Sequence, residues 1–246
     1  PNHGQLYRRC AVVGNGGGLL LREQGGEIDA HDAVIRFNGG PVLGFEEYVG
    51  SRTTFRLTNY DHFYFYEPDA PPVEEAVLQH VTNSLALAKL AEFAEHKPLR
   101  TAGHSKPPTM YMVDPEFHYY AFNVFGLGAP SNGFYGTLLA NDRCQQVTLY
   151  GFQKEWKGKA LPYHYYNDIE PNESQSSRDD SESARYQQYL DVMNSHARNC
   201  TLDPECEDPR VDRSVRAGAA GHRDRFVYGE ALLPPEEEGA GGHAQE

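Results

Sequence analysis

Short apolar strands that end at glycine or asparagine constrain the fold of this chain more than any other feature of its sequence. The first predicted strand, Cys10–Val13, runs into a glycine-rich turn, and the second, Ala33–Phe37, runs into Asn38. Stretches with helical spacing of apolar residues separate the strands, as between Ser84 and Glu95. Such alternation favours a parallel sheet covered by helices, with ligands at the carboxyl ends of the strands. We therefore predict a single Rossmann-like α/β domain with a mostly parallel sheet flanked by helices.

Other segments extend this pattern. Thr53–Leu57 and Val147–Tyr150 are predicted strands, and Thr137–Asp142 lies in a predicted helix. The apolar stretch Ala76–Val81 fits a strand or a helix, because periodicity alone does not separate the two in so short a run.

The charge balance excludes some classes of partner. The 246 residues include 22 Lys and Arg against 35 Asp and Glu, a formal net charge of −13. This excess of acid argues against nucleic acid as a partner and against a surface that binds anionic lipid. No apolar run approaches the about 20 residues of a membrane-spanning helix. The sequence begins at Pro1 rather than Met, so we expect a fragment or processed form that lacks any N-terminal anchor or signal.

Composition divides the chain near residue 202. We predict a catalytic domain over 1–202 and a low-complexity, disordered tail over 203–246, which is rich in Pro, Gly, Ala and charge. Within this tail only Phe226–Tyr228 offers an apolar anchor. The acidic stretch Asn167–Ser183 is predicted to be a surface loop.

The cysteines and glycosylation sequons favour an oxidising, lumenal compartment. Cysteine occurs at four positions, which are Cys10, Cys144, Cys200 and Cys206. None forms a C-x-x-C pair, so the pattern is not that of a zinc site or a thioredoxin-like protein. Sequons begin at Asn172 and Asn199.

The turn Val13–Gly18 is the first candidate ligand site. Its glycines would let a ligand approach the backbone, and the start of a following helix offers free N–H groups to a phosphate. The turn lacks the last glycine of the dinucleotide fingerprint, and no G-K-[ST] follows, so it is not a Walker loop. By itself it fits a phosphate site or a tight turn without a ligand.

Three stretches match one family in order and spacing. The first reads CAVVGNGGGLL from Cys10, continues as GEIDAHDAVIRFNGGP from Gly26 and ends near Thr54. The second contains Pro-Ser-Asn-Gly from 130 to 133, then a helix, a cysteine at 144 and the strand that ends in Gly-Phe at 151 and 152. The third reads PYHYY from 162 to 166. They resemble the long, short and third sialyl motifs of the eukaryotic sialyltransferases, glycosyltransferase family 29.

This resemblance implies a GT-A-like variant of the predicted fold and a transferase activity. The family moves sialic acid from its CMP ester to a glycan hydroxyl, with inversion and without a metal ion. CMP-sialic acid or CMP-Kdo is therefore the expected donor substrate, no cofactor is expected, and the acceptor is a glycan on glycoprotein, glycolipid or polysaccharide. The full-length form is expected to be a type II single-pass membrane protein of the Golgi lumen, held by an N-terminal anchor absent from this chain.

The resemblance also assigns roles to individual residues. Asn15 is expected to contact phosphate or acceptor, Asn38 the ribose, and His164 the phosphate as it leaves. The nucleotide-binding set that it implies is Asn15, Gly16, Asn38, Ser131, Asn132, Gly133 and His164. Gly16 stands where the family usually has Ser, and Asn132 where it usually has Ser or Thr. Without the resemblance, the asparagines fit turn caps, Ser131 fits a helix N-cap and His164 fits a packing residue.

Two further implications concern the cysteines and the catalytic base. Cys10 and Cys144 match the cysteines that join the long and short motifs in a disulfide, whereas pairing of the other two cysteines is left open. The family's base is a His five positions before a Glu, and here Ser177 precedes Glu182 at that spacing. A serine hydroxyl cannot accept the acceptor's proton unaided near neutral pH. An active transferase and a catalytically impaired protein that binds nucleotide or glycan are therefore both considered, ahead of a nucleotide-dependent oxidoreductase.

Overall fold

The computed structural model describes residues 6–65, 67, 75–96, 109–126, 129–153, 155–167, 184–185, 187–188 and 226–228. Its strands are β1 (Tyr7–Val13), β2 (Ala33–Phe37), β3 (Phe55–Thr58), β4 (Ala76–Gln79), β5 (Thr109–Met112), β6 (Cys144–Tyr150), β7 (Glu155–Trp156), β8 (Lys159–Ala160) and β9 (Phe226–Tyr228). Its helices are α1 (Gly25–Asp29), α2 (Glu46–Val49), α3 (Ser84–His96), α4 (Pro115–Phe125) and α5 (Asn132–Arg143). One 3-10 turn, Gly17–Leu21, follows β1.

The central sheet has the strand order β5-β4-β3-β2-β1-β6-β9, and each neighbouring pair in it is parallel. The predicted α/β fold with a mostly parallel sheet is thus confirmed. The chain adds β2 to β5 on one side of β1 and then returns to place β6 on its other side. In open α/β sheets, ligands bind where the strand order reverses in this way. The crevice expected from topology therefore lies between the carboxyl ends of β1 and β6.

Helices cover both faces of the sheet at β1. Successive side chains of a strand point to opposite faces. Cys10 and Val12 belong to a buried cluster with residues of α5, whereas Ala11 and Val13 belong to a second cluster with residues of α1 and α2. A strand buried on both faces is the expected state in a parallel sheet, and it explains the continuous apolar runs in the sequence.

The predicted elements agree with the structure where the apolar pattern is strong. The predicted strand Ala33–Phe37 coincides with β2. The ambiguous stretch that begins at Ala76 is a strand, β4, because it pairs with β3. The helix expected after the glycine-rich turn is a single 3-10 turn, Gly17–Leu21. We did not predict β5 or α4, although Asp114 caps α4 and Pro115 begins it, which are standard helix-start signals.

A disulfide links the first strand to the end of α5. Cys10 and Cys144 are bonded, with their Cα atoms 6.1 Å apart, and both side chains are buried. The pairing implied by the family resemblance is therefore present. The bridge joins the two strands that flank the expected crevice, since β6 begins at Cys144.

The segment Phe226–Tyr228 pairs with β6 as strand β9. It belongs to the region assigned by composition to the tail, and the domain boundary at 202 stays a prediction. Cys200 and Cys206 lie outside the described residues. No helix within the described ranges is long and apolar enough to cross a bilayer.

Removing the disulfide should destabilise the protein. We expect the double variant Cys10→Ala, Cys144→Ala to lose about 2–5 kcal/mol of unfolding free energy, because the bridge restricts the unfolded chain over a long loop. Denaturant unfolding measures this change. Reduced wild type is the matched control, since it loses the bridge but keeps both side chains. Equal stability of oxidised and reduced protein, or alkylation of both thiols in the folded state, would contradict the expectation.

Candidate functional site

The glycine-rich turn after β1 is packed directly against the turn after β6. The Gly14 N–H donates to the Tyr150 carbonyl at 2.7 Å, and the Gly16 N–H donates to the Gly151 carbonyl at 3.0 Å. A Cβ atom on Gly14 or Gly16 would lie 2.7 or 2.6 Å from the oxygen of Gly151. These two glycines therefore permit a close approach of the chain to itself at the crevice between β1 and β6.

Asn15 connects this turn to two other segments. Its side-chain amide donates to the Phe37 carbonyl at 3.3 Å, which is the last residue of β2. Its own carbonyl accepts from the Tyr165 N–H at 2.9 Å. The first and third motif segments are thus in direct contact at Asn15, which is half-buried.

Asn38 begins the turn after β2 and adopts a left-handed conformation, with φ of 50°. Arg56 holds this turn, because its guanidinium donates to the carbonyls of Asn38 and Gly40, each at 3.0 Å. Arg56 is buried and pairs with Glu75, Nε to Oε1, at 2.5 Å. A buried cation without its carboxylate would be strongly unfavourable, so Glu75 also supports the turn.

The Asn38 side chain links β2, β3 and α5. Its oxygen accepts from the Asn59 N–H at 3.1 Å and from the Asn132 side-chain amide at 2.8 Å. The same amide of Asn132 also donates to the Leu57 carbonyl at 3.4 Å. Three segments that are distant in the sequence therefore meet at one amide group.

The start of α5 lies on the same rim as the glycine turn. Ser131 is the N-cap, and its Oγ accepts from the Phe134 N–H at 3.2 Å. A Cβ on Gly133 would lie 3.0 Å from the ring of Phe152, and a Cβ on Gly14 would lie 3.3 Å from the same ring. The two turns thus flank one aromatic ring, as expected if they border one site.

His164, in the third motif segment, is held in place by stacking on an aromatic ring. The imidazole stacks on Tyr166, with centroids 4.8 Å apart and planes 9° from parallel. Its Nδ1 lies 3.3 Å from the side-chain amide nitrogen of Asn167. Beside it, Tyr165 is buried and donates its hydroxyl to the Pro41 carbonyl, and burial raises the pKa of that phenol. The segment is thereby tied to the turn after β2 as well as to Asn15.

Two predicted catalytic positions, Ser177 and Glu182, lie outside the described residues. The structure therefore places the nucleotide-binding candidates but not the position of the base. Within the described part of the chain, no group of three His, Cys, Asp or Glu side chains is arranged to hold a metal ion.

Sequence reasoning missed Gln79, which organises the carboxyl ends of β3 and β4. Its buried side-chain oxygen accepts from the Thr58 hydroxyl and the Tyr64 N–H, each at 2.8 Å. Its amide nitrogen lies within 3.2 Å of the carbonyls of Thr58 and Asn59 and 2.9 Å from that of His80. A polar residue at the end of an apolar strand is the signal that would have identified it.

A buried aromatic cluster lies next to this network. His80 is 4% exposed, and its ring centroid lies 4.5 Å from that of Tyr135 on α5. Burial and the neighbouring His118 lower the pKa of His80 to about 4. The imidazole is therefore neutral near pH 7, which fits a packing role.

Comparison with known proteins identifies the family. The model of glycosyltransferase family 29 (sialyltransferase) matches residues 1–188. The chain belongs to this family. A type 2 lactosamine alpha-2,3-sialyltransferase of Rattus norvegicus is 31% identical over 179 residues, which cover 65% of this chain and 54% of that protein. The CMP-N-acetylneuraminate-beta-galactosamide-alpha-2,3-sialyltransferase 1 of Mus musculus is 33% identical over 172 residues, 67% of this chain and 50% of that protein.

This family 29 chain thus spans about half the length of the curated relatives that it matches. It also matches a crystal structure of a mammalian sialyltransferase in complex with Gal-beta-1-3GalNAc-ortho-nitrophenol, with a TM-score of 0.57 and 27% identity. That match covers 76% of this chain and 67% of the solved chain. The sialyltransferase resemblance and the fold predicted from it are both confirmed.

Restoring the usual family serine at Gly16 should destabilise this particular chain. The backbone at Gly16 is extended, with φ of −68° and ψ of 149°, so any residue could adopt it. The obstacle is the Gly151 carbonyl, 2.6 Å from a new Cβ, and we expect Gly16→Ser to lower the unfolding free energy by about 1–3 kcal/mol.

Gly18→Ser is the matched control for this change. A Cβ there would meet only side chains, those of Leu161 at 3.3 Å and Gln153 at 3.4 Å, which can adjust more easily than a carbonyl. Denaturant unfolding compares the two variants. A Gly16→Ser protein as stable as wild type, or less affected than Gly18→Ser, would show that the turn readily moves away from β6.

Proposed function

We propose that this chain is a sialyltransferase that moves sialic acid from CMP-sialic acid to a glycan hydroxyl, inverting the anomeric centre without a metal ion. The observation that carries the proposal is the meeting of Asn15, Asn38 and the start of α5 at the strand-order reversal of a family 29 fold. These groups supply neutral hydrogen-bond donors at the position where α/β sheets bind nucleotides.

The donor is held, in this proposal, by amides and a helix N-terminus. Asn38 contacts the ribose, Asn15 contacts the phosphate or the acceptor, and Ser131–Gly133 lie against the nucleotide. α5 runs for 12 residues from this point, so its first N–H groups and its dipole favour an anionic phosphate. A monophosphate leaving group can be stabilised by such donors in place of a divalent cation.

His164 is proposed to donate to the phosphate as it leaves. If the amide of Asn167 donates to Nδ1, the ring proton resides on Nε2, which is then the donor atom. The flat stack on Tyr166 fixes the plane of the imidazole. A donor held in place before the reaction stabilises developing charge at little cost in reorganisation.

The names of the relatives support a choice of donor sugar and acceptor. The mouse relative is named for CMP-N-acetylneuraminate and a beta-galactosamide, and the rat relative for type 2 lactosamine. We therefore propose CMP-sialic acid rather than CMP-Kdo as the donor. Galactose-terminated glycans are the first acceptors to test, since the matched crystal structure also contains Gal-beta-1-3GalNAc.

We also propose a Golgi-lumenal location, with the full-length form anchored as a type II membrane protein. The buried bridge between Cys10 and Cys144 supports an oxidising compartment, where disulfides form and persist. The two sequons support the same assignment, because glycosylation of such sites occurs in secreted proteins.

CMP binding tests the nucleotide site directly. Calorimetry should show weaker binding of CMP by His164→Ala and by Asn38→Ala, with the histidine variant losing about 1.5–3 kcal/mol, as for one charge-assisted hydrogen bond. Asn123→Ala is the control, because Asn123 is an exposed residue of α4. Unchanged affinity in His164→Ala would return that histidine to a packing role.

A second candidate function is binding without efficient transfer, and the serine at position 177 favours it. We propose that Ser177, with Glu182, occupies the usual base position, and that transfer is slow or relies on a nearby carboxylate. Ser177→His should then raise the transfer rate about 10²–10⁴-fold, the typical contribution of a general base. Product formation from labelled CMP-sialic acid measures this rate. An unchanged rate, in a wild type that already turns over well, would place the base elsewhere.

A further inference from the structure

The amide groups of Asn38 and Asn132 have a defined orientation, because one of their neighbours can act only as a donor. The backbone N–H of Asn59 points at the Asn38 side chain from 3.1 Å, so the atom that it meets must be the oxygen. The same oxygen lies 2.8 Å from the side chain of Asn132, which must therefore present its NH₂ group.

A second acceptor supports the same orientation of the Asn132 amide. Its NH₂ group also lies 3.4 Å from the Leu57 carbonyl, which can only accept. The NH₂ group of Asn132 thus has two protein oxygens within hydrogen-bond distance and two hydrogens to donate. A serine or threonine, the usual family residue here, has a single hydroxyl hydrogen and could not bond both.

The Asn59 peptide, whose N–H donates to Asn38, is itself held in place. The Asn59 carbonyl accepts from the side-chain amide of Gln79 at 3.2 Å, and Gln79 is fully buried at the end of β4. Gln79 also binds Thr58 and Tyr64, on either side of Asn59 in the sequence. The Asn59 N–H therefore has little freedom to turn away from Asn38.

One consequence concerns the other half of the Asn38 amide. With its oxygen committed to Asn59 and Asn132, Asn38 has its NH₂ group left over, and none of the described residues accepts from it. Asn38 is half-buried, so this NH₂ group retains access to solvent or ligand.

We propose that Asn132 is a positioning residue that presets the Asn38 amide with its NH₂ group toward the nucleotide. The site then selects a ligand atom that accepts a hydrogen bond, such as a ribose hydroxyl oxygen. This inference rests on the proposed function, since it assumes that Asn38 contacts the nucleotide. It assigns Asn132 a role that acts through Asn38, in addition to the proposed position of Ser131–Gly133 against the nucleotide.

Asn132→Asp tests this role with a change that the fold should accept. The two side chains have the same shape, and position 132 is the first residue of α5, where an acidic residue is favoured by the helix dipole. The new carboxylate oxygen would face the Asn38 oxygen, so the Asn38 amide must rotate and give up the Asn59 N–H. We expect CMP binding to weaken about tenfold, the equivalent of about one hydrogen bond. The carboxylate also loses the contact with the Leu57 carbonyl, so we expect the unfolding temperature to fall while staying well above the assay temperature, which thermal unfolding checks.

A double-mutant cycle separates this effect from simple charge repulsion. In an Asn38→Ala background, Asn132→Asp should have no further effect on the Kd for CMP, because the residue through which it acts is gone. Asn123→Asp, an isosteric change on the exposed face of α4, is the control for added negative charge and should leave the Kd unchanged.

Three results would be decisive against the proposal. Wild-type affinity in Asn132→Asp would show that the Asn38 amide is not preset by Asn132. A full effect of Asn132→Asp in the Asn38→Ala background would show that the carboxylate acts directly on the phosphate. If wild type and Asn38→Ala bind CMP equally well, this inference is wrong but a nucleotide site is still present. If wild type does not bind CMP, the proposed function itself is wrong.

Discussion

The close packing of the turn after β1 on the turn after β6 is the constraint on which the site depends. A parallel sheet whose strand order reverses at β1 brings these two turns together, and only glycine at 14 and 16 leaves room for the Gly151 carbonyl. The disulfide ties the same two strands together below the turns, because it joins Cys10, in the middle of β1, to the first residue of β6. With β1 and β6 fixed in this way, the start of α5 and the turn after β2 are brought to one rim.

On that rim, hydrogen bonds from buried polar side chains fix the orientation of the amide groups. Arg56 and Glu75 hold the backbone of the turn at Asn38, while Gln79 holds the backbone of Asn59. Such networks are favourable only when each member finds its partner, since an unpaired buried polar group costs more than one hydrogen bond contributes. The same requirement makes them specific, because reversing one amide breaks its neighbours' bonds.

The sequence predicted those parts of the molecule that depend on local patterns. β2 was predicted correctly because its apolar run has turn residues on both sides. Asn15 and Asn38 were proposed as site residues from motifs that lie within continuous segments, and the structure places both at strand ends on one rim. Gln79 was missed although it is a polar residue at the end of an apolar strand, because its partners depend on the register that sets it opposite Thr58 in β3. β9 was not predicted either, because three apolar residues in a polar region form a strand only when a free edge, here that of β6, is available for pairing.

The proposed roles of the site residues separate binding from catalysis in physical terms. The groups proposed to face the nucleotide lie on strand ends and on α5, whereas positions 177 and 182 belong to a different segment of the chain. Groups that bind the nucleotide equally in ground and transition states improve affinity without accelerating the reaction. In the proposed mechanism, acceleration requires His164 to bind the departing phosphate more strongly than the intact donor, together with a base for the acceptor's proton. If these proposed roles hold, a family 29 chain can keep an ordered nucleotide site through the amide network while its rate is decided by the segment that contains Ser177, the proposed base position.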